Sequence, residues 1–227
     1  MRPLRHGYTN RTLGDGAVVR KTYDGPDAAA RLHREHTLLR ALRGRVPVPP
    51  VLRADDRTLT LGFVPGVHGQ ELLDAGRAEQ VLESCGQLLR RLHAGPPPDL
   101  PDLPDLPGAG AGEVLVHGDF GPQNLLLDPS TFEVTALLDW EFARLGEAVE
   151  DLAWCEWIVR THHPEHVRSL GRFFAAYGAP VPAWPERRAA MLAKCGRMKE
   201  FCRRRDAHGP GVRQWEERAR IAAAWRE

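Results

Sequence analysis

The chain has 227 residues, of which 42% are hydrophobic and 27% charged, with a net charge of +1. Those proportions exclude a wholly disordered chain, and no apolar run approaches the roughly 18–20 residues that span a bilayer, so no membrane partner is expected. The near-neutral total hides segregation: residues 1–50 hold ten Lys/Arg against four Asp/Glu, 99–151 hold twelve Asp/Glu against one Arg, and 194–220 hold nine Lys/Arg against four Asp/Glu.

Met1 to Arg11 is polar and lacks the apolar stretch of a secretory signal. Arg11–Leu13 and Ala17–Thr22 flank Gly14-Asp15-Gly16, whose residues tolerate positive φ, so a hairpin is predicted. After Gly25-Pro26, Asp27 stands where it can cap a helix from Ala28 to about Leu42, in which Leu32, Leu38, Leu39 and Leu42 recur near helical spacing. Gly44 and the prolines between 47 and 50 end that helix. Val51–Leu52 and Thr58–Phe63 read as strands turning at Asp55-Asp56, and Pro65-Gly66 stops the pattern.

Ala78–His93 is a second helix, with Val81, Leu82, Cys85, Leu88, Leu89 and Leu92 on one stripe. Gly95–Gly112 is rich in Pro and Gly, with a short DLP repeat at Asp99–Pro107, and reads as an extended connection. Short apolar strands follow at Val114–Val116, Leu125–Leu127 and Val134–Leu138, and from Glu150 the chain is mainly helical. The order predicts an α+β, bilobal fold: a small β-rich N-lobe with one helix over 1–64, and a larger, mostly helical C-lobe over 65–227. Trp140, Trp154 and Trp157 are expected in the core. His162, His163 and His166 are broken up by Pro164 and are expected on a solvated surface rather than on a metal. Arg203-Arg204-Arg205 lacks interleaved aromatics, so no nucleic-acid partner is expected. Cys85, Cys155, Cys195 and Cys202 show no CxxC spacing and are expected as free thiols in a reducing cytoplasm.

The strongest local signal begins where the strand Val114–Val116 delivers His117-Gly118-Asp119 into a loop that ends at Asn124. A second strand, Val134–Leu138, ends in Asp139, and the turn Asp128–Thr131 folds the two strands into a hairpin. That geometry sets Asn124 beside Asp139, where an amide oxygen and a carboxylate can hold Mg²⁺, a hard cation that prefers oxygen ligands. Asp119 lies just ahead, placed to accept a proton from an attacking hydroxyl. Singly these residues are ordinary turn formers or caps; together, with strands on both sides, they point to chemistry. The acidic middle of the chain suits metal ions or a cationic substrate, and Glu141 and Glu156 are candidates to face one.

His117-Gly-Asp-Phe-Gly-Pro-Gln-Asn124, followed by Leu137-Leu-Asp-Trp-Glu-Phe-Ala143, resembles the aminoglycoside phosphotransferase family, which shares the protein-kinase-like fold with choline kinases. The resemblance implies that Asp119 is the catalytic base, that Asn124 and Asp139 are Mg²⁺ ligands, that His117 supports the loop, and that Asp151 in Glu150-Asp-Leu-Ala-Trp154 braces it. It implies transfer of the γ-phosphoryl group of ATP or GTP to a small-molecule hydroxyl acceptor. The implied acceptor is an aminoglycoside or related antibiotic, or alternatively choline, an amino alcohol, homoserine or a sugar; a nucleotide-binding pseudokinase is the alternative of another class.

In the first lobe, a strand-borne lysine, Lys21, and Glu35 on the following helix form a candidate kinase-like ion pair for the nucleotide phosphates. Alternation puts Arg20 and Lys21 on opposite faces, so only one can enter the cleft; the family register selects Lys21. Gly7-Tyr8-Thr9-Asn10 lies where a phosphate-covering loop belongs. Leu61–Gly66 resembles the hinge, with adenine expected against backbone groups of Gly62 and Val64. The chain is short for the family, and the missing length falls in the helical lobe.

Overall fold

Asp15 organises the first hairpin: its carboxylate accepts the N–H groups of Ala17 and Val18 at 3.1 and 2.9 Å, and its own N–H bonds the Val18 carbonyl. In the computed structural model, which describes residues 1–4, 10–98, 100, 103, 113–178 and 180–227, this turn joins β2 (Arg11–Gly14) to β3 (Val18–Thr22). With β1 (Arg2–Pro3), β4 (Val51–Ala54) and β5 (Thr58–Gly62) they make an antiparallel sheet in the order β1-β2-β3-β5-β4. Helix α1 (Ala28–Leu42) buries Leu32, Leu38, Leu39 and Leu42 in one core with Leu59 and Leu61 of β5.

Asp27 does not cap α1. Its φ of 55° is left-handed, whereas a capping residue is normally extended, and its side chain bonds no first-turn N–H. The carboxylate instead lies 2.6 Å from Arg204 at the end of helix α6 (Trp184–Arg205).

Beyond Pro65-Gly66 the chain enters a second sheet. β6 (Val67–His68) pairs with β8 (Leu125–Leu127), which pairs with β9 (Val134–Leu137). Glycine is required at position 66: φ is 153°, and a Cβ there would lie 2.7 Å from Thr135 Oγ1. A short helix, α2 (Gly69–Asp74), follows. The third ladder pairs β7 (Val114–Val116) with β10 (Arg144–Gly146). The β8–β9 register sets Leu125 opposite Leu137, and the Leu138 N–H bonds the Asn124 carbonyl at 2.8 Å, so the chain ends bearing Asn124 and Asp139 lie side by side.

The helical part comprises α3 (Ala78–Ala94), α4 (Val149–His162), α5 (Leu170–Tyr177), α6 and α7 (Pro210–Ala224). Every residue of the α3 stripe named above is buried. At Gly86 of α3 a Cβ would stand 2.3 Å from the Phe173 carbonyl oxygen of α5, so the two helices cross closer than any side chain there permits. A second core joins α4, α6 and α7, with Trp154 and Trp157 stacked at 4.4 Å and packed with Met191, Cys195 and Trp215. Among the described residues no helix is long and apolar enough to cross a membrane. Of the three histidines His162 is exposed, as expected, and His166 is half-buried with Nε2 meeting the Leu73 carbonyl of α2 at 3.0 Å; only His163 departs from a solvated face, buried 3.3 Å from Asp74 of α2.

Asp151, in the first turn of α4, joins the helices to the end of β7. Its carboxylate accepts the N–H groups of His117 (2.7 Å) and Gly118 (2.9 Å) and meets His93 Nε2 of α3 at 3.3 Å. Burial pushes this carboxyl up, but His93 and His117 outweigh burial and hold it below the usual carboxylate range.

Two outcomes follow from this packing. Gly86→Val should cost about 1–3 kcal/mol by forcing α3 and α5 apart, read from urea unfolding with an unchanged m-value. Asp151→Asn should cost a similar ~1–3 kcal/mol, because one of two buried N–H donors loses its acceptor. The depressed carboxyl also sets a direction with pH. Its contribution is present above the ordinary Asp value of ~3.9 and is lost as pH falls through the lower folded value, so the stability gap between wild type and Asp151→Asn should narrow in acid melts.

Candidate active site

The loop after β7 is shaped by a glycine. Gly118 has φ 79°, and a Cβ there would sit 2.4 Å from the Phe142 carbonyl oxygen, so the loop lies directly against the segment that follows β9. His117 fixes the same junction: its Nε2 meets the Leu138 carbonyl at 2.9 Å, and its Nδ1 accepts the Asp119 N–H at 3.2 Å. Both ring nitrogens are thereby engaged within the loop.

Asp119 leaves this turn with both carboxylate oxygens held. Trp154 Nε1 donates to Oδ1 at 2.7 Å, and Asn124 Nδ2 donates to Oδ2 at 3.0 Å and to the Asp119 carbonyl at 2.8 Å. Burial, helped by Asp139, raises the Asp119 carboxyl above the usual range, against the opposing pull of Lys194 and Trp154.

Asp139 follows β9 with φ 66°, and its Oδ1 lies 2.6 Å from Lys21 Nζ. Lys21 on β3 is buried while its neighbour Arg20 is exposed, as strand alternation requires. The same ammonium is 2.6 Å from Glu35 Oε2, which also accepts the Tyr23 hydroxyl at 2.5 Å. The Tyr23 hydroxyl is pushed far above its ordinary value by burial and by Glu35.

Glu141 is fully buried. Its Oε2 accepts Arg31 Nη1 and Asn10 Nδ2, each at 2.7 Å, and its Oε1 has no hydrogen-bond partner among the described residues. Burial and the nearby Asp139 push its carboxyl up to about 7.

Carboxylate oxygens of Glu35, Asp139 and Glu141 lie within 4.8 Å of one another. Three acids so close, faced by Lys21 and Arg31, with the Asn124 amide lining the same cavity as Asp139, form an oxygen-rich setting that fits a hard divalent cation.

Two cavities flank these residues. The first, about 340 Å³, is lined by Lys21, Glu35, Asn124 and Asp139 together with apolar Val19, Leu61 and Leu126. Gly62 and Val64 line it too. The Gly62 N–H is taken by the Pro50 carbonyl at 2.8 Å, so it has no donor left for a base. A Cβ on Gly62 would stand 2.7 Å from Pro50 Cγ, so that residue keeps the wall thin. Asn10 lines the cavity, whereas Gly7, Tyr8 and Thr9 of the expected phosphate-covering loop lie outside the described residues. The second cavity, about 850 Å³, lies between α1, α6 and the Phe142 turn, and shares no lining residue with the first among the described residues.

Three contacts were not expected from the sequence. Trp154 holds Asp119 as well as packing the second core, Arg31 holds Glu141, and Lys194 approaches the Asp119 loop. For Arg31 a signal was present, since it stands four residues before Glu35 and therefore on the same helix face. For Lys194 there was none, because it is one of several cations on its helix and nothing in the sequence distinguishes it from Arg197 or Lys199.

The sequence model of the phosphotransferase enzyme family matches residues 1–109 and 102–190. Among curated proteins, acyl-CoA dehydrogenase family member 10 of Mus musculus is 50% identical over 40 residues, 18% of this chain and 4% of that protein. Acyl-CoA dehydrogenase family member 11 of Gallus gallus is 43% identical over 42 residues, 18% of this chain and 5% of that protein. The alignments thus cover about a twentieth of these relatives' length. Among solved structures, the gentamicin complex of APH(2")-IIa superposes with a TM-score of 0.68 at 16% identity, over 96% of this chain and 90% of that one. Aminoglycoside phosphotransferase APH(3'')-Id from Streptomyces rimosus, in complex with ADP and streptomycin, gives 0.66 at 20% identity, over 83% and 89%. A thermostable mutant of aminoglycoside phosphotransferase APH(4)-Ia, with ADP and hygromycin B, gives 0.65 at 17% identity, over 99% and 94%. At these identities the likeness is one of fold, and it is the small antiparallel sheet with a larger helical part that was expected of a kinase-like chain. The matched residues take in the Asn124–Asp139 hairpin, and the chain belongs to the phosphotransferase enzyme family.

Proposed function

We propose that the protein transfers the γ-phosphoryl group of ATP or GTP to a hydroxyl of a small molecule. A single observation carries this reading. Asn124 and Asp139 line one cavity with the Lys21–Glu35 ion pair, and Asp119 is hydrogen-bonded to Asn124 at its edge. In this reading residues 1–64 and the start of the second sheet hold the nucleotide, and residues 65–227 hold the catalytic loop and the acceptor. The apolar walls at Val19, Leu61 and Leu126 receive the base, with Val64 beside it.

Lys21 has three N–H donors. Glu35 and Asp139 accept two of them, so the third is available to a phosphate oxygen without breaking the ion pairs. Asn124 and Asp139 are the residues that would hold Mg²⁺, which when bound neutralises charge on the phosphate oxygens. Asp119 orients the acceptor hydroxyl and takes its proton. Its raised carboxyl makes it a stronger base than an exposed aspartate, and Trp154 and Asn124 fix the direction it faces. Most of the rate enhancement then comes from positioning and from charge arranged in advance. The four described cysteines are all free, which agrees with a reducing cytoplasm where nucleoside triphosphates are available. The fold relatives favour an aminoglycoside acceptor; the lining of the second cavity favours a different charge class, taken up below.

A coupled assay of ADP or GDP release tests the reading. Asp119→Asn should lower acceptor-dependent kcat by roughly 10²–10⁴-fold with nucleotide binding retained. Full turnover by the folded variant would remove Asp119 from the chemistry. Lys21→Met and Glu35→Gln should each lower kcat/KM for the nucleotide by ~10²-fold, and chelation by EDTA should stop turnover until Mg²⁺ is restored. The base must be ionised, so activity should fall as pH drops through the Asp119 value. That acid limb should lie above the ordinary ~4 of an aspartate in a pH–rate profile.

A further inference from the structure

The second cavity abuts the Asp119 loop through two of its wall residues. Trp154, which donates to Asp119 Oδ1 at 2.7 Å, is part of its wall, and so is Gly118 immediately before Asp119. Its volume, about 850 Å³, accommodates a metabolite-sized molecule. Phe142 and Trp154 give it flat apolar surface, and the remaining character is charge.

Six cationic side chains line the cavity against three acidic ones. Each acid already has a partner. Asp27 is 2.6 Å from Arg204, Glu200 is 2.7 Å from Arg203, and Glu150 pairs with both Arg144 and Arg197. One carboxylate shared by two guanidinium groups leaves a net positive charge there.

Lys194 adds another. It is only 7% exposed, yet it makes no hydrogen bond or ion pair with the described residues. Its Nζ lies over the Phe142 ring at 4.8 Å and the Trp154 ring at 5.4 Å. Asp119 reaches it through the field alone, with no ion pair between them. Cation–π contacts recover only a small part of what removing an ammonium from water costs. A buried ammonium facing a cavity next to the base, with a two-arginine cluster beside it, is therefore matched to an anion.

We propose that this cavity is the acceptor site and that the acceptor carries a carboxylate or phosphate group, bound at Lys194 and the Arg144–Arg197 pair, alongside the hydroxyl presented to Asp119. The proposal rests on the phosphoryl-transfer reading above and narrows its acceptor to an anion. A polycation would set like charges against Lys194 and the arginines, which selects against it.

The test has two arms. In the first, ADP release is measured with matched pairs, such as sugar phosphates against the free sugars and hydroxy acids against the corresponding alcohols, with aminoglycosides and choline alongside. The anionic member of a pair should exceed its neutral partner at least ~10-fold in kcat/KM, and Lys194→Gln should raise the KM for the anionic acceptor ~10-fold or more without moving the KM for ATP. Lys194→Arg should restore much of the loss. Better turnover of the cationic compounds would overturn the assignment. So would a Lys194→Gln variant that lowers kcat equally for charged and neutral acceptors with KM unchanged, since Lys194 would then be acting on the transferred phosphoryl group.

In the second arm, inorganic phosphate is titrated calorimetrically into protein saturated with Mg·AMP-PNP, which keeps it out of the first cavity. Saturable binding should be lost in Lys194→Gln and weakened in Arg197→Gln, whose more exposed side chain makes it the safer variant for folding. No saturable binding, or binding that neither substitution changes, overturns the anion site even if no acceptor in the panel is turned over. A failure of nucleotide binding or of the Asp119→Asn effect counts instead against phosphoryl transfer; phosphate is then titrated into nucleotide-free protein, where loss of saturable binding in Lys194→Gln still reads the anion site.

Discussion

Lys21 Nζ lies 2.6 Å from both Glu35 and Asp139 and is almost wholly out of solvent, so three separate pieces of chain meet at one ammonium: β3, α1 and the turn after β9. Desolvating such a group is expensive, and its partners repay that only when the geometry is held closely; removing one partner of a buried pair typically costs about 3–5 kcal/mol. The contact therefore constrains everything around it. α1 also carries Arg31, one turn before Glu35, and Arg31 reaches Glu141 two residues beyond Asp139. One helix face thus holds the 139–141 segment twice, directly through Arg31 and by way of Lys21 through Glu35. The position of Asp139 in the cleft is thus set by α1 as much as by its own strand.

The opposite side of the site is held by hydrogen bonds rather than ion pairs. Asp151 accepts two backbone N–H groups of the His117–Gly118 turn, His117 bridges that turn to Leu138, and Trp154 and Asn124 fix the two oxygens of Asp119. Asp151 and Trp154 lie on the first turns of α4, so one helix both anchors the loop and aims its carboxylate. This is why Trp154, which belongs to an aromatic core, also bears on chemistry. Its indole face packs with Trp157 while its N–H is turned to Asp119.

Much of this was legible in the sequence because it is local. Alternation separates Lys21 from Arg20, helical spacing carries Glu35 toward β3, and the Asp128 turn folds β8 against β9. What was not legible depended on distant partners. β6 and β10 are two and three residues long and exist only because β8 and β7 offer edges far along the chain. α2 has six residues, too few for a periodic signal, and without it His163 looks solvated when it is buried. Asp27 has the composition of a cap, but its backbone took the left-handed region, and its charge went to Arg204.

Charge shows the same limit most sharply. Along the chain, residues 99–151 are the acidic segment and residues 194–220 a basic one. In three dimensions several of those acids are consumed internally. Asp151 binds backbone N–H groups, Asp128 caps its own turn, Asp139 meets Lys21, Glu141 meets Arg31, and Glu150 is shared by Arg144 and Arg197. In the basic segment five cations find acids as well, but Lys194 enters the second cavity without an acid to meet it. A substrate responds to what remains after pairing, not to the sum along the sequence. Beside Asp119 the remainder is positive, opposite in sign to the acidic middle of the chain taken alone.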